Sequence, residues 1–203
     1  MKLMISRDQI QGQVSVMADQ INWHYKDLER PLVLLVVLDG AMVFAADLMR
    51  RIEIPFEVAT IRAGSYSNGV SSGAVHIGSV SMPLSDRNVL VVEDIIDSGL
   101  TINAICRRFK NLTESMDIVT LLQRGNMKEL PPSQLGGHGL TRNKGLARWT
   151  GFTIPDGFVY GYGLDDVDGT GRGLLDIWMR VESPNVHVNS ELAKASLKHL
   201  KMK

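Results

Sequence analysis

The sequence has a single cysteine, Cys106, only 6% aromatic residues, and no excess charge of either sign, since 22 basic residues match 22 acidic ones. One cysteine cannot form an internal disulfide or a cysteine-based metal site, so we interpret Cys106 as a small apolar helix residue in a reducing compartment. A net charge of zero provides no overall attraction to nucleic acid or to an anionic membrane surface. The sequence therefore predicts no nucleic acid or membrane partner, and local binding of any anionic ligand.

Long apolar runs are also lacking. The longest, Leu32–Leu38, has seven residues, whereas a membrane-spanning helix needs about twenty. The chain has no basic and apolar start followed by a small-residue cleavage site, and we therefore expect a cytoplasmic protein. Its 203 residues, 44% of them hydrophobic, are enough for one globular domain without a disulfide or a structural metal.

Hydrophobic patterning predicts helices that alternate with strands. Apolar residues at helical spacing indicate an amphipathic helix over residues 8–28, capped by Asp8. The Leu32–Leu38 run indicates a strand that is buried on both faces, which is typical of a parallel sheet. Further helices are predicted over 41–51 and 101–109, and further strands over 56–61, 88–92, 117–122 and 157–162. This alternation predicts an α/β fold with a central, mostly parallel sheet flanked by helices.

Three segments interrupt the alternation. Residues 62–78 are rich in Gly and Ser and are interpreted as a long loop. Residues 123–148 are interpreted as a surface insertion, and residues 186–203 as a C-terminal tail with a basic helix. Because no repeat and no interdomain linker is visible, residues 1–185 are predicted to form one domain that includes the insertion.

Residues 89–101 are the most informative segment, because a buried strand there leads through a turn into a helix. Glu93 and Asp94 stand at the carboxyl end of the strand, where ligands bind in open α/β sheets. The amides of the turn, the hydroxyls of Ser98 and Thr101, and the positive end of the helix dipole suit a phosphate. The chain lacks a Walker Gly-Lys-Ser/Thr signature and a Gly-x-Gly-x-x-Gly after a strand. We therefore expect the ligand to be a phosphorylated sugar. Either its diol or a magnesium ion would contact the carboxylates of Glu93 and Asp94.

The stretch Val-Leu-Val-Val-Glu-Asp-Ile-Ile-Asp-Ser-Gly-Leu-Thr resembles the phosphoribosyl pyrophosphate signature of type I phosphoribosyltransferases, in its hypoxanthine-guanine form. Residues 38–48 are similar to that family's pyrophosphate loop, residues 65–73 to its mobile catalytic loop, and residues 151–165 to its purine and magnesium segment. The resemblance implies the family's fold with a small hood region. It also implies Mg²⁺-dependent transfer of 5-phosphoribosyl from phosphoribosyl pyrophosphate to N9 of hypoxanthine or guanine, by a homodimer or homotetramer.

The resemblance implies roles for the residues that contact the sugar and phosphates. Glu93 and Asp94 would hold the ribose hydroxyls and contribute to Mg²⁺ binding. Asp97 would sit beside purine N7 and act as general base, or simply hold that proton. The 5′-phosphate would be wrapped by Ser98, Gly99, Leu100 and Thr101, and the pyrophosphate would be bound by Asp39, Gly40 and Arg172.

It also implies roles around the purine. Phe158 would stack on the ring, the backbone at Val159 and Asp165 would contact its edges, and Asp165 would bind Mg²⁺, which prefers oxygen ligands. Ser65 and Tyr66 would lie on a catalytic lid that keeps water from the reacting centre.

Two positions depart from the family pattern. Asp39 stands where family members often have Lys or Arg, so pyrophosphate affinity should be lower unless magnesium or a lysine compensates. Leu146 stands where the family has a lysine that donates to the 6-oxo group. Lys144 is our first choice to replace that lysine, ahead of Arg142 and Arg148. A replacement matters because the loss of a hydrogen-bond donor can cost orders of magnitude in specificity.

Three alternative functions remain open at the level of sequence. The chain could transfer phosphoribosyl to a different base, such as xanthine or a modified purine. It could be a catalytically weak regulatory nucleotide-binding protein on the same fold, or an unrelated α/β nucleotide-binding domain.

Overall fold

The computed structural model describes residues 1–65, 75–109, 111–125 and 147–181. Within these ranges the chain forms nine strands and three helices. The strands are β1 (Lys2–Ile5), β2 (Leu32–Leu38), β3 (Phe56–Ser65), β4 (Val75–Ile77), β5 (Asn88–Ile96), β6 (Ser115–Arg124), β7 (Trp149–Ile154), β8 (Val159–Tyr160) and β9 (Ile177–Met179). The helices are α1 (Arg7–His24), α2 (Met42–Met49) and α3 (Leu100–Phe109).

The main sheet has six strands in the order β4-β3-β2-β5-β6-β7. All of its pairings are parallel except that of β3 with β4, which is antiparallel. The predicted α/β fold with a mostly parallel central sheet is therefore confirmed. Because β2 and β5 are parallel neighbours, their carboxyl ends lie side by side at one edge of the sheet.

Both faces of this sheet are covered by apolar layers. In β2, Leu32, Leu34 and Val36 pack with α1 and α2, and the alternate residues pack with α3 on the other face. Successive strand residues point to opposite faces, so a strand covered on both faces must be apolar throughout. Cys106 lies in the α3 layer, where burial raises the pKa of its thiol to about 12, as fits an apolar helix residue.

A second sheet of three antiparallel strands, in the order β1-β9-β8, joins the start of the chain to residues 159–179. It corresponds to the expected hood region. The strand predicted over 157–162 is shorter, because Gly157 and Gly161 both have positive φ angles that interrupt an extended strand. β1 and β9 are too short to give a periodic signal of their own.

Helix α1 begins and ends earlier than predicted. Its N-cap is Ser6 and not Asp8: the Ser6 hydroxyl accepts from the Gln9 amide (3.4 Å) and the Gln9 side chain accepts from the Ser6 amide (2.9 Å). This reciprocal capping box satisfies two amides that the helix leaves unpaired. None of the described helices is long and apolar enough to cross a membrane.

Two of the predicted loop boundaries are wrong. Residues 62–65 extend β3, and residues 63–65 pair with β4, because ladder hydrogen bonds outweigh the loop-like Gly and Ser composition. Gln123 and Arg124 are not part of an insertion, since they complete β6 and pair with Thr153 and Ile154 of β7. Residues 66–74 and 126–146 and the predicted tail, 186–203, lie outside the described residues.

Candidate active site

A cavity of about 370 Å³ opens at the carboxyl ends of β2 and β5. Most of the predicted sugar and phosphate residues line it, namely Gly40, Glu93, Asp94, Asp97, Ser98, Gly99, Leu100, Thr101, Asp165 and Arg172. They come from three separate parts of the chain. The parallel sheet brings them together because it aligns the carboxyl ends of its strands.

The turn between β5 and α3 forms one wall of the cavity. Gly99 has a φ of 76°, a conformation that glycine adopts without steric cost. The Gly99 carbonyl accepts from the Asn103 amide (2.9 Å), and the Leu100 amide donates to the Ser98 hydroxyl (3.4 Å). The first amides of a helix have no intrahelical acceptor and carry a partial positive charge. This wall is therefore suited to a phosphate group.

Glu93 and Asp94 also line the cavity. The Glu93 side chain is only 5% exposed, and its Oε2 atom has no hydrogen-bond partner among the described residues. Burial, together with the negative charge of Asp94, raises the pKa of Glu93 well above its usual value. A buried carboxyl oxygen without a partner is costly unless a ligand satisfies it. The hydroxyls of a diol or a hard cation would do so.

Gly40 lies directly against this acid pair. A Cβ atom at position 40 would collide with the Asp94 carboxylate, so only glycine allows the β2 loop to approach so closely. The backbone of the loop and the Asp94 side chain therefore share one corner of the cavity.

Arg172 and Asp165 line a third part of the cavity. The Arg172 guanidinium donates to the Gly163 carbonyl (Nη1, 2.6 Å) and forms an ion pair with Asp165 (Nη2 to Oδ2, 2.8 Å). Gly163 has a φ of 101° and packs so tightly against the Gly40 carbonyl that a Cβ atom would not fit. The residues predicted to bind pyrophosphate and metal are thus close together, although Asp165 is already paired with an arginine.

No group of three or more His, Cys, Asp or Glu side chains in the described ranges is arranged to hold a metal ion. Mg²⁺ commonly takes only one or two protein carboxylates and completes its octahedron with water and substrate phosphates. The unpartnered Oε2 of Glu93, next to Asp94, supplies suitable oxygen chemistry. The residues present therefore fit a magnesium ion that is shared with a phosphorylated substrate.

Asp97 lies at the mouth of the cavity with 70% of its side chain exposed. Its Oδ1 accepts from Nε of Arg124 (2.9 Å), whose two Nη atoms donate to the carbonyls of Pro155 and Gly157 (2.6 Å each). Sequence reasoning missed Arg124, because it fell in the supposed insertion and its partners are 27 to 33 residues away. No local pattern could have indicated these contacts.

The Asp39 side chain does not line the cavity, and it forms an ion pair with Nη1 of Arg62 at 2.8 Å. In the parallel register of β2 and β3, Leu38 stands opposite Arg62, so Asp39 follows next to that arginine. The negative charge that was expected to repel pyrophosphate is therefore balanced by an arginine on the neighbouring strand. The sequence could not show this pair, since it depends on strand register.

The predicted purine residues are only partly brought together. Phe158 is half-exposed, and the guanidinium of Arg180 lies 6.0 Å from the centroid of its ring. Arg180 is itself held by two bonds to Asp166, at 2.7 and 2.8 Å. Val159 is buried in the core layer of α1 and α2. Neither Phe158 nor Val159 is among the residues that line the cavity described above.

The lid and lysine predictions fall largely outside the described residues. The backbone of Ser65 ends β3 opposite Val75, while Tyr66, Arg142, Lys144 and Leu146 lie in undescribed segments. Arg148 is a wrong candidate for the missing lysine. It contacts Asp117 (3.4 Å) near the amino end of β6, whereas the cavity is at the carboxyl end.

A cavity lined by helix-start amides and an acid pair, at the carboxyl ends of a parallel sheet, is typical of α/β proteins that bind a sugar phosphate or a nucleotide. Comparison with known proteins narrows this class. Residues 6–136 match the family described as "Phosphoribosyl transferase domain". The chain belongs to this family, and within it to the hypoxanthine-guanine phosphoribosyltransferases.

The similarity to individual family members extends over most of the chain. The chain is 34% identical to the hypoxanthine phosphoribosyltransferase of Buchnera aphidicola, over 81% of this chain and 87% of that protein. It is 35% identical to the hypoxanthine-guanine phosphoribosyltransferase of Bacillus subtilis, over 81% and 84%. Among solved structures, a hypoxanthine-guanine phosphoribosyltransferase from Bacillus anthracis aligns with a TM-score of 0.75 and 33% identity, covering 89% of this chain and 99% of that chain.

Proposed function

We propose that the chain transfers the 5-phosphoribosyl group from phosphoribosyl pyrophosphate to N9 of hypoxanthine or guanine, in a reaction that depends on Mg²⁺. The products would be the purine nucleotide and pyrophosphate. The observation that carries the proposal is the cavity that is lined both by the acid pair, buried Glu93 and partly buried Asp94, and by the amino terminus of α3. The hypoxanthine phosphoribosyltransferase of Trypanosoma cruzi in complex with its product IMP, 30% identical with a TM-score of 0.75, supports it.

The described residues divide the work of binding phosphoribosyl pyrophosphate. The amides and hydroxyls of residues 98–101 bind the 5′-phosphate, and Glu93 and Asp94 accept hydrogen bonds from the two ribose hydroxyls. The Gly40 backbone and the Arg172 guanidinium hold the pyrophosphate at the other end of the sugar. In this proposal C1′ of the ribose lies between the 5′-phosphate site and the pyrophosphate site, and the leaving group is held at its oxygens.

In the reaction, the C1′–O bond to pyrophosphate breaks and the C1′–N9 bond forms. Positive charge develops on the ribose ring while pyrophosphate departs, and Asp97 accepts or holds the proton at purine N7. Catalysis then comes mainly from positioning and from electrostatic stabilisation of the departing group. Mg²⁺, held by Asp165 and by the Glu93 and Asp94 pair, would neutralise part of the pyrophosphate charge.

We assign the purine contacts by the same proposal. Phe158 stacks on the ring, Val159 and Asp165 contact its edges, and Lys144 donates to the 6-oxo group. Ser65 and Tyr66 belong to the lid that excludes water, and the active form is a cytoplasmic homodimer or homotetramer. Light scattering coupled to size-exclusion chromatography would measure the oligomeric state.

One assay tests the proposed function. The full chain is incubated with phosphoribosyl pyrophosphate, with and without Mg²⁺, and with a panel of hypoxanthine, guanine, xanthine and adenine, while nucleotide formation is followed. We expect product with hypoxanthine or guanine, and only with Mg²⁺. Product with xanthine alone would show that the enzyme accepts a different base from the one we propose. Binding of phosphoribosyl pyrophosphate without product for any base would indicate a regulatory protein.

A further inference from the structure

Strand pairing places Arg180 beside the side chain that is proposed to stack on the purine. Val159 of β8 pairs with Met179 of β9, and the Arg180 amide donates to the Phe158 carbonyl (2.9 Å). Directly opposite residues of an antiparallel pair point to the same side. Val159 and Met179 point into the core layer of α1 and α2, so Phe158 and Arg180 share the other face. There the Arg180 guanidinium lies over the Phe158 ring, 6.0 Å from its centroid.

Asp166 fixes the position of this guanidinium. Nε and Nη2 of Arg180 donate to the two carboxylate oxygens of Asp166, at 2.7 and 2.8 Å. Two parallel bonds set the orientation of the guanidinium plane as well as its distance from the carboxylate. The bonds from Arg180 also lower the pKa of Asp166, so the pair is ionised at neutral pH. Arg180 is 43% exposed, yet it is held at its charged end by a partner that is only 16% exposed.

Asp166 is in turn fixed by a closed turn next to the cavity. Its amide donates to the Thr170 carbonyl (2.7 Å), and its carbonyl accepts from the Gly169 amide (2.8 Å). The preceding residue, Asp165, lines the cavity and pairs with Arg172 at 2.8 Å. A single ion pair therefore connects the proposed stacking ring to this corner of the cavity.

We propose that Arg180 is a positioning residue for the purine base, an inference that rests on the proposed function above. Held by Asp166, its guanidinium occupies one face of the Phe158 ring and leaves the opposite face for the base. A cation over an aromatic face is attracted by the π electrons of the ring, and this attraction restrains a ring that is 42% exposed. Because the ring is ordered before the base arrives, binding loses less conformational entropy.

Arg148 offers a matched control. It is 41% exposed, forms an ion pair with Asp117 (3.4 Å), and its guanidinium lies 5.4 Å from the centroid of the Trp149 ring. Arg148 and Arg180 thus share their exposure, a carboxylate partner and an aromatic neighbour. They differ in place, since Arg148 lies near the amino end of β6 and the cavity lies at the carboxyl ends of the strands.

The test measures, by isothermal titration calorimetry on the full chain, the Kd of IMP and the Kd of ribose 5-phosphate, which has no base. For Arg180→Met we expect the Kd of IMP to rise about 3- to 10-fold, while that of ribose 5-phosphate stays within about two-fold. For Arg148→Met both values should stay within about two-fold. In steady-state kinetics Arg180→Met should raise the purine KM by a similar factor. Its kcat and its KM for phosphoribosyl pyrophosphate should stay within about two-fold, because the contact is the same before and during transfer.

Two further variants separate positioning from a general structural effect. Arg180→Lys keeps the charge but not the fork to Asp166, and we expect it to recover only part of the lost IMP affinity. It also carries the test if Arg180→Met fails to fold. If Arg180 acts through the ring, its replacement should change the Kd of IMP by less than about 1.5-fold in a Phe158→Leu background.

Three results would overturn the inference: wild-type IMP affinity in Arg180→Met, equal losses of affinity for IMP and ribose 5-phosphate in that variant, or an undiminished loss in the Phe158→Leu background. If the wild-type chain forms no nucleotide, the proposed function itself fails. An active wild type with unchanged IMP affinity in Arg180→Met refutes only the role of Arg180.

Discussion

The Glu93 carboxyl group combines burial, a neighbouring carboxylate and an oxygen without a partner among the described residues. Each of these features opposes ionisation of the carboxyl group. In the ligand-free site Glu93 therefore lowers the stability of the folded chain. A residue that destabilises the folded chain in this way is typical of a binding site whose ligand supplies the missing partner.

We expect Glu93→Gln to stabilise the ligand-free protein and to weaken substrate binding. Folding raises the pKa of Glu93 above its usual value near 4.5. The contribution of this carboxyl group to stability is therefore fully present below pH 4.5 and is lost as the pH rises through the pKa of the folded state. The Tm of the variant should therefore exceed that of the wild type by more at pH 8 than at pH 5. The KM for phosphoribosyl pyrophosphate should rise by about ten-fold.

The surface variant Glu29→Gln is the control, and it should leave the Tm and the KM unchanged. If Glu93→Gln is no more stable than the wild type at pH 8, then the buried Glu93 carboxyl does not destabilise the ligand-free protein as we infer.

Gly40 provides a second prediction at the level of one residue. A methyl group at position 40 would displace the Asp94 carboxylate, so Gly40→Ala should raise the KM for phosphoribosyl pyrophosphate by about ten-fold or more. Gly12→Ala is the matched control, since no atom lies within 4 Å of a Cβ at that helical position. The control should keep wild-type kinetics and gain about 0.5–1 kcal/mol of stability, measured by urea unfolding. Unchanged kinetics in Gly40→Ala would show that the contact is not needed for binding.

At the scale of elements, the turn over residues 161–165 is anchored to two helices. Tyr162 Oη donates to the Asp47 carboxylate of α2 (2.6 Å), which also accepts from Gln11 of α1 (2.6 Å). Partial burial of Asp47 opposes its ionisation, yet the bonds from Tyr162 and Gln11 and the nearby arginines hold its pKa below the usual value. Gly163, the next residue, contacts Gly40 and Arg172. The network therefore connects the helices to the pyrophosphate end of the site.

We expect Tyr162→Phe to destabilise the protein by about 1–2 kcal/mol, through loss of a hydrogen bond to a charged group. It should also raise the KM for phosphoribosyl pyrophosphate several-fold, because the turn that carries Asp165 loses its anchor. Tyr25→Phe is the matched control: Tyr25 is also buried and donates to a carboxylate, Asp117 (2.8 Å), away from the cavity. Both variants should lose similar stability in urea unfolding, and only Tyr162→Phe should change the KM. A KM change of the same size in both would contradict the anchoring role.

At the scale of the whole molecule, a net charge of zero coexists with a cavity built for anions. Local amides and arginines, and not a long-range field, must therefore select the ligand. At about 100 times its Kd, phosphoribosyl pyrophosphate with Mg²⁺ should add about 2.7 kcal/mol of stability, equivalent to a Tm rise of roughly 5–10 °C. An oligonucleotide at the same concentration should leave the Tm unchanged. A comparable shift with the oligonucleotide would mean that anion binding is unspecific.

The central elements were predictable from sequence because their signals are local. The seven apolar residues of Leu32–Leu38 indicate a strand that is covered on both faces, and the structure confirms it. Residues 93–101 likewise predicted a phosphate site, because an acid pair, a glycine turn and a helix start stand next to one another in the chain. The strands β1, β4, β7 and β9 were missed, since their pairing partners decide whether such segments are extended at all.

The sequence by itself determined the α/β order, the segment that forms the candidate phosphate site, and the resemblance to the family, since each depends on neighbouring residues. Only the tertiary structure decided the side-chain pairs in and around the site: Asp39 with Arg62, Asp97 with Arg124, Asp165 with Arg172, and Tyr162 with Asp47. The physical reason is that side-chain charges and hydrogen bonds act over a few ångströms in space. Strand register and turn geometry, which no local pattern records, determine which side chains come within that range.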